Sequence, residues 1–294
     1  MSRYQFTTGE KLLQICENEA LTISDVTIKR EHELSNIKTT EQINFMGEIY
    51  LVMKDSVTKG INSTEPSTGG LIGENSHKMY KYWQSGKAVG SDVLIKSIAY
   101  ALAITEENAR MGKIAACPTA GACGVVPSLM VALQEQYNYT NQEIIKALFN
   151  SSAVGVIIAT NASISGAEGG CQAEVGSASA MAASAMVELL GGSPKMCLTA
   201  AAIALKNTLG LVCDPVAGLV EVPCSKRNAM GVSNAFAAAH MSLAGIESFI
   251  KFDEVVEAMN MVGKALPSSL KETAQGGLAI TKTARDYCEL RNKD

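Results

Sequence analysis

A mostly α-helical, compact multi-helix fold is what this sequence predicts, and three observations predict it. From residue 128 onward apolar residues recur at helical spacing over about 128–137, 141–159, 172–190, 196–209, 227–247 and 253–264. Many of those positions are Ala, Gly or Ser, as in ASAMAASAMVELL and NAFAAAHMSLAGI; alanine has the highest helix propensity, and small faces let helices approach closely. Aromatic residues make up only 5% of the chain and alternating β-branched runs are few, which argues against a doubly wound sheet. VGVII (154–158) and LVEV (219–222) are the two candidates for short strands, and the period favours helix for the first.

The first sixty residues read as polar helices. Leu12, Leu13 and Ile15 sit among Glu and Lys; Ser24 or Asp25 is placed to cap a second helix running to about Leu34; Thr39 and Thr40 precede a third, with Ile43, Met46, Ile49, Tyr50 and Met53 on one face. Residues 61–77, INSTEPSTGGLIGENSH, are rich in Gly, Ser, Thr and Asn and read as a loop, either a linker or part of a site. Ser91 or Asp92 opens a strong helix ending near Met111. ACPTAGACGVVPS (116–128) is a second Gly/Pro loop, equally readable as an anion cradle or as a tight connection, with Pro127 placed to start the next helix. No internal repeat is evident.

A length of 294 residues fits one large domain or two modest ones; the whole chain 1–294 is read as one unit, with N-terminal helices over 1–60. A net charge of −4 without basic runs argues against nucleic acid. The opening MSRYQFTTGEKLLQICENEA lacks an apolar signal core, and the most apolar stretch, 148–167, is broken by Asn150, Ser151, Ser152, Asn161 and Ser163, so neither secretion nor a membrane span is expected and a cytoplasmic location is. In a reducing compartment eight cysteines read as thiols or metal ligands rather than disulfides.

Three of those cysteines stand apart from any apolar stripe. Cys171 follows Gly169 and Gly170, Cys213 precedes Pro215 by two, and Cys224 directly follows Pro223. Glycine and proline set the backbone rather than fill a core, so such segments can hold a thiolate at a fixed place. The spacing itself, C-x41-C-x10-C, matches neither a compact ferredoxin run nor a paired zinc finger, and buried thiols remain an open alternative. Three thiolates are one short of a closed four-coordinate site, and an open position is where a metal does chemistry.

CPTAGACGVVPS, NASISGAEGGCQAEVGSASAMAA, KNTLGLVCDPVAGLVEVPCSKRNAMG and LKETAQGGLA closely resemble the α-subunit of the bacterial iron–sulfur L-serine dehydratases, most strongly over about 114–280. The resemblance implies a mostly helical catalytic domain built around a 4Fe–4S cluster on Cys171, Cys213 and Cys224, with no pyridoxal phosphate. It implies conversion of L-serine to pyruvate and ammonia, with the iron lacking a protein ligand acting as Lewis acid on the serine hydroxyl. It also implies a β-subunit partner in a heterodimer or higher assembly, since no β-like segment accompanies the α-part in these residues.

From the matched motifs come the expected substrate contacts. Thr119, Ala120 and Gly121 lie in the PTAG turn, where backbone N–H groups could take a carboxylate; Asn161, Ser163 and Ser165 precede the first cysteine; Lys226 and Arg227 follow the third, placed to hold a carboxylate or to tune cluster charge. Lys78 matches a basic position in relatives and is a catalytic candidate, whereas His77 matches nothing there. Where relatives show a Thr-Gly-Gly-Asp-Ala-like turn this chain reads Ile72-Gly73-Glu74-Asn75-Ser76, with STGG displaced to 67–70, so no aspartate role carries over. Cys117 and Cys123 are read as packed thiols near the cluster, Cys16 and Cys197 as helix-face thiols, His32 and His240 as surface or packed residues; Cys288 does not match the terminal cysteine that caps the open iron in some relatives. With the histidines thought to act in relatives lying in the β-part, the base is expected from the partner. The rival readings are a cysteine desulfidase on the same scaffold, a catalytically idle cluster-binding subunit and a zinc-stabilised helical domain.

Overall fold

The computed structural model describes residues 3–291, and among them the regular structure is helical, with a single isolated bridge between Cys213 and Lys271. Helix α1 (Gly9–Glu19) is capped by the Thr8 hydroxyl. Helix α2 (Ile23–Ser35) begins earlier than Ser24 or Asp25 as cap would allow: Thr22 is the cap, and Asp25 returns the bond from the third helical position in a capping box. Helix α3 (Thr39–Asn62) begins at the expected threonine.

The loop expected over 61–77 is shorter, because α4 (Asn75–Gln84) takes up its end. Local sequence could not announce this start: no side chain of the segment caps it. The cap comes from Glu106, fully buried on α5 (Asp92–Ala109), which accepts the N–H groups of Gly73 (3.1 Å), Asn75 (2.7 Å) and Ser76 (3.3 Å) and the Ser76 hydroxyl (2.7 Å). His77 therefore lies on a helix rather than in a loop, with Lys78 next to it on the same helix.

Helix α6 (Val125–Tyr137) starts three residues before the expected 128, with Pro127 in its first turn, where a missing N–H costs nothing. Helix α7 (Asn141–Asn161) contains 154–158 and settles that segment as helix. After the short α8 (Gly166–Gly169), the expected helix over 172–190 divides into a π turn at Gln172–Gly176 and α9 (Ser177–Leu189). Helix α10 (Pro194–Lys206) starts with Pro at N1 under a Ser193 cap. Residues 219–222 form bends rather than a strand, and α11 (Cys224–Leu243) begins at the third cysteine itself, not at 227. Helices α12 (Phe252–Ala265) and α13 (Lys282–Arg291) complete the described chain, the latter without a clear apolar period to predict it.

Helix α9 is the axle. It packs on α10, α7, α11 and α6, while α5 packs on α11, α3, α6 and α4. Ala178, Ala180, Ala182, Ala183 and Ala185 of α9 are completely buried, so the small residues that suggested helices also set how near the neighbours come. One buried cluster runs from Phe6 to Met259. Helix α7 is the one described helix long and apolar enough to cross a membrane, and it packs against α9 and α2.

Candidate active site

The three singled-out cysteines come from three segments that long-range hydrogen bonds lace together. Gly170 precedes Cys171 at φ +76°, and a Cβ there would lie 2.7 Å from Leu266 Cδ1 and 2.8 Å from the Leu211 carbonyl, so only glycine fits the turn. Gln172, fully buried, then locks it: its amide nitrogen donates to the carbonyls of Gly169 (2.9 Å) and Met259 (3.1 Å), its amide oxygen accepts from Gly210 N (2.9 Å), and its backbone N–H donates to Leu211 O (3.0 Å). The first cysteine is thereby registered against the chain leading into the second. Cys213 is held in turn by Leu270, which accepts its N–H (2.9 Å), and by Glu272, whose N–H donates to its carbonyl (2.8 Å).

Cys224 is the first residue of α11, and the residues one turn on tie it to the rest. Arg227 Nη1 donates to Val212 O at 2.6 Å. Its Nη2 stands 2.9 Å from Asp214 Oδ1, a charge contact off the line of a hydrogen bond, and its guanidinium also lies against the Cys171 thiol. Asp214 Oδ2 accepts Leu278 N at 2.8 Å, fastening the 277–280 turn to the second cysteine. Asn228, fully buried, accepts Gly124 N (2.9 Å) and donates to Gly121 O (2.7 Å) and Cys224 O (2.9 Å), which staples the PTAG turn to the start of α11.

Facing the thiols is a residue that the sequence reading passed over. Glu174, one turn after Cys171, accepts the Thr119 hydroxyl at 2.7 Å on Oε1. A Cβ on Gly121 would lie 2.9 Å from that oxygen; a Cβ on Gly166 would lie 2.8 Å from Oε2 and 3.1 Å from Cys213 Sγ. The free carboxylate oxygen and the sulfur thus flank one point and are no more than about 6 Å apart. Burial raises the Glu174 carboxyl above its ordinary range, the Thr119 bond opposes the rise, and the Glu272 charge adds to it. The one available signal was an acid in a segment of otherwise small and apolar residues, at i+3 from a candidate ligand.

The thiols share that environment. Burial pushes Cys171 up to about 11, with Arg227 pulling the other way. Burial, then the charges of Cys171 and Glu174, push Cys224 up to about 12 and raise Cys213 as well. Three thiols so placed resist ionising together unless a cation joins them. Among the described residues, no three His, Cys, Asp or Glu side chains stand close enough to grip one ion between them.

Other candidates go elsewhere. Asn161 ends α7 and donates to Thr7 O (2.7 Å) and Ile157 O (2.8 Å), a latch onto the N-terminal segment. Ser163 Oγ accepts Ser165 N (3.0 Å) in a local turn, and Ser163 faces a cavity against α12 with Gly169, Ala173, Met259 and Gly263. Lys78 pairs with Glu74 at 2.7 Å in an exposed salt bridge. Lys226 is exposed on the first turn of α11, its ammonium pulled below its usual range by desolvation against the Glu106 charge. His77 Nδ1 meets Ile61 O (3.2 Å), His32 Nδ1 meets Ile37 O (2.7 Å), and His240 packs edge-on to Phe236. Cys117 and Cys123 are held as thiols by burial, and Cys123 feels both Glu174 and Cys224.

The displaced STGG loop does reach this region. Glu221, three residues before Cys224, accepts the Ser67 hydroxyl (2.6 Å), Gly69 N (2.7 Å) and Leu71 N (3.0 Å), and the Tyr287 hydroxyl of α13 donates to Gly69 O from the other side.

The family model for the serine dehydratase alpha chain matches residues 18–279. The probable L-serine dehydratase alpha chain of Bacillus subtilis is 50% identical over 282 residues, 96% of this chain and 93% of that one. The L-serine dehydratase alpha chain of Peptoniphilus asaccharolyticus is 44% identical over 95% of each. The L-serine dehydratase TdcG of Escherichia coli is 37% identical over 94% of this chain but only 62% of its own length.

Proposed function

Because the chain belongs to the serine dehydratase alpha-chain family, we propose that it is the catalytic subunit of an L-serine ammonia-lyase, working with a β chain and an iron–sulfur cluster. The observation that carries the reading is the convergence of Cys171, Cys213 and Cys224 on three mutually fastened segments, with Glu174 and the PTAG turn beside them.

The donor set fits a cluster. Thiols without histidine form a soft set suited to iron–sulfur centres or zinc. Cys171, Cys213 and Cys224 are the proposed ligands. When bound, the 4Fe–4S group supplies a Lewis-acidic iron that weakens the bond between serine's β-carbon and its hydroxyl.

The chain's own residues bind and orient. In the PTAG turn, Ala122 N–H and Cys123 N–H close on Thr119 O and Ala120 O, so those of Ala120 and Gly121 are the proposed donors to the substrate carboxylate. Arg227, engaged with Val212 and Asp214, acts on the shape of the thiol site rather than on substrate. Loss of the α-proton and the hydroxyl from serine gives water and aminoacrylate, which tautomerises and hydrolyses to pyruvate and ammonia. The three histidines are engaged as described above, and the proton acceptor is proposed to come from the β chain. The α-chain relatives and the extra length of the Escherichia coli protein support that second part.

The test is anaerobic reconstitution with iron and sulfide, with and without the β chain. Ala at Cys171, Cys213 or Cys224 is expected to lower iron content and abolish pyruvate formation. Unchanged iron and pyruvate in all three variants overturns the reading; full turnover by the α chain alone overturns the β-chain part.

A further inference from the structure

Resting on the dehydratase reading, we propose that Glu174 is the subsite for the substrate's ammonium group, which makes this a site for β-hydroxy α-amino acids rather than for β-hydroxy acids. Glu174 projects from the π turn that begins directly after Cys171. Its Oε1 is fixed by the Thr119 hydroxyl at 2.7 Å across 55 residues of chain. Its Oε2 borders the point beside Gly166 that Cys213 Sγ also borders. Among the described residues no cationic side chain is salt-bridged to it: Arg227 on α11 is turned to Asp214 and Val212, and the neighbouring charge of Glu272 is of the same sign.

A partly buried carboxylate without a counter-ion is unfavourable by itself. A ligand that brings its own cation relieves that, and a charge-assisted bond from an ammonium is the strong form of such a contact. Serine's hydroxyl and ammonium sit on adjacent carbons, short enough to place one toward the thiols and the other on Oε2. With the carboxylate on the PTAG turn, three points of attachment are fixed, and three points define a hand. Glycine at 121 and 166 is the corresponding design, since a side chain at either would meet the carboxylate.

The experiment compares L-serine with 3-hydroxypropanoate, which is serine without its ammonium, in the anaerobically reconstituted αβ complex. The wild-type complex is expected to bind serine at least tenfold more tightly. Glu174→Gln keeps the acceptor for Thr119 but removes the charge; it is expected to raise KM for serine roughly 10- to 100-fold, with a smaller change in kcat, while the inhibition constant of 3-hydroxypropanoate and the iron content stay within about twofold. Thr119→Val, which frees the carboxylate without neutralising it, is expected to raise KM roughly three- to tenfold as a positioning residue should. Equal wild-type affinity for the two ligands overturns the subsite even if the variants do not fold. So do parallel weakening of both ligands, loss of iron in Glu174→Gln, or a collapse of kcat at constant KM, which would mark a proton-transfer role. A wild-type complex with no serine turnover overturns the dehydratase reading and the subsite with it.

Discussion

Asn228→Ala is the perturbation whose cost can be worked most directly from the structure. The Asn228 side chain is completely buried and joins Gly124 N–H, Gly121 C=O and Cys224 C=O at 2.7–2.9 Å. Truncation strands the first two in the interior. The Cys224 carbonyl is one turn back on α11, where a helix supplies its own backbone donor. A buried group left without its partner costs about 1–3 kcal/mol, so the two together predict a loss of about 2–6 kcal/mol. That is a large part of the 5–15 kcal/mol that typically holds a domain folded. Urea unfolding should show a lower midpoint with an unchanged slope, the sign of a change in stability alone. Asn228→Asp keeps the acceptor for Gly124 but turns a second oxygen toward two carbonyls, and should be at least as costly. Asn260→Ala is the control: it removes one exposed bond, 3.3 Å to Asn161 O, and should stay within about 0.5 kcal/mol of wild type. An Asn228→Ala protein equally close to wild type refutes the claim that this amide fastens the PTAG turn to α11.

Three further outcomes are expected. Glu188 is partly buried, and desolvation raises its carboxyl above the ordinary range against bonds from Ser24 and Asn150. The folded chain therefore holds that proton more tightly than the unfolded one; its contribution is full below the ordinary carboxylate pKa and is lost as pH rises through the folded value. Unfolding free energies across that window should fall with pH in wild type and fall less in Glu188→Gln, and matching slopes would refute it. Gly170→Ala forces a side chain onto φ +76° and against Leu266 and Leu211; it should cost about 2–4 kcal/mol in urea unfolding and lower iron uptake, and a cost below about 1 kcal/mol would show that the turn yields. Arg227→Lys keeps the charge but cannot reach Val212 O and Asp214 together, so iron retention after timed exposure to air should drop; retention equal to wild type would leave Arg227 without a role in shaping the site.

Much of the helical architecture is legible along the chain because its signals are local. The apolar period marks α7, α10 and α12 to within a few residues, and Thr140 with Glu143 forms a capping box that can be read from four letters. Misreadings concentrate where the deciding partner is remote. The start of α4 is capped by Glu106, thirty residues downstream, so 61–77 looks like loop throughout. The break between the π turn and α9 leaves no mark in a run of small residues that suits either geometry. The Gly and Pro around the three cysteines single them out as candidates, and nothing local singles out Glu174, because a carboxylate three residues past a thiol has no meaning until Thr119 arrives from another segment.

By itself, then, the sequence determined the helical class and many of the places where the chain bends, and it marked three cysteines by their Gly and Pro neighbours, since period, propensity and Gly/Pro stereochemistry act over a few residues. Only the tertiary structure decided which polar groups share a site: Glu174 with Thr119, Arg227 with Asp214 and Val212, Asn228 with Gly121, Glu221 with the STGG loop. Those pairings are made by the burial of α9 among its neighbours, which brings distant segments to hydrogen-bonding distance and removes the water that would otherwise satisfy them.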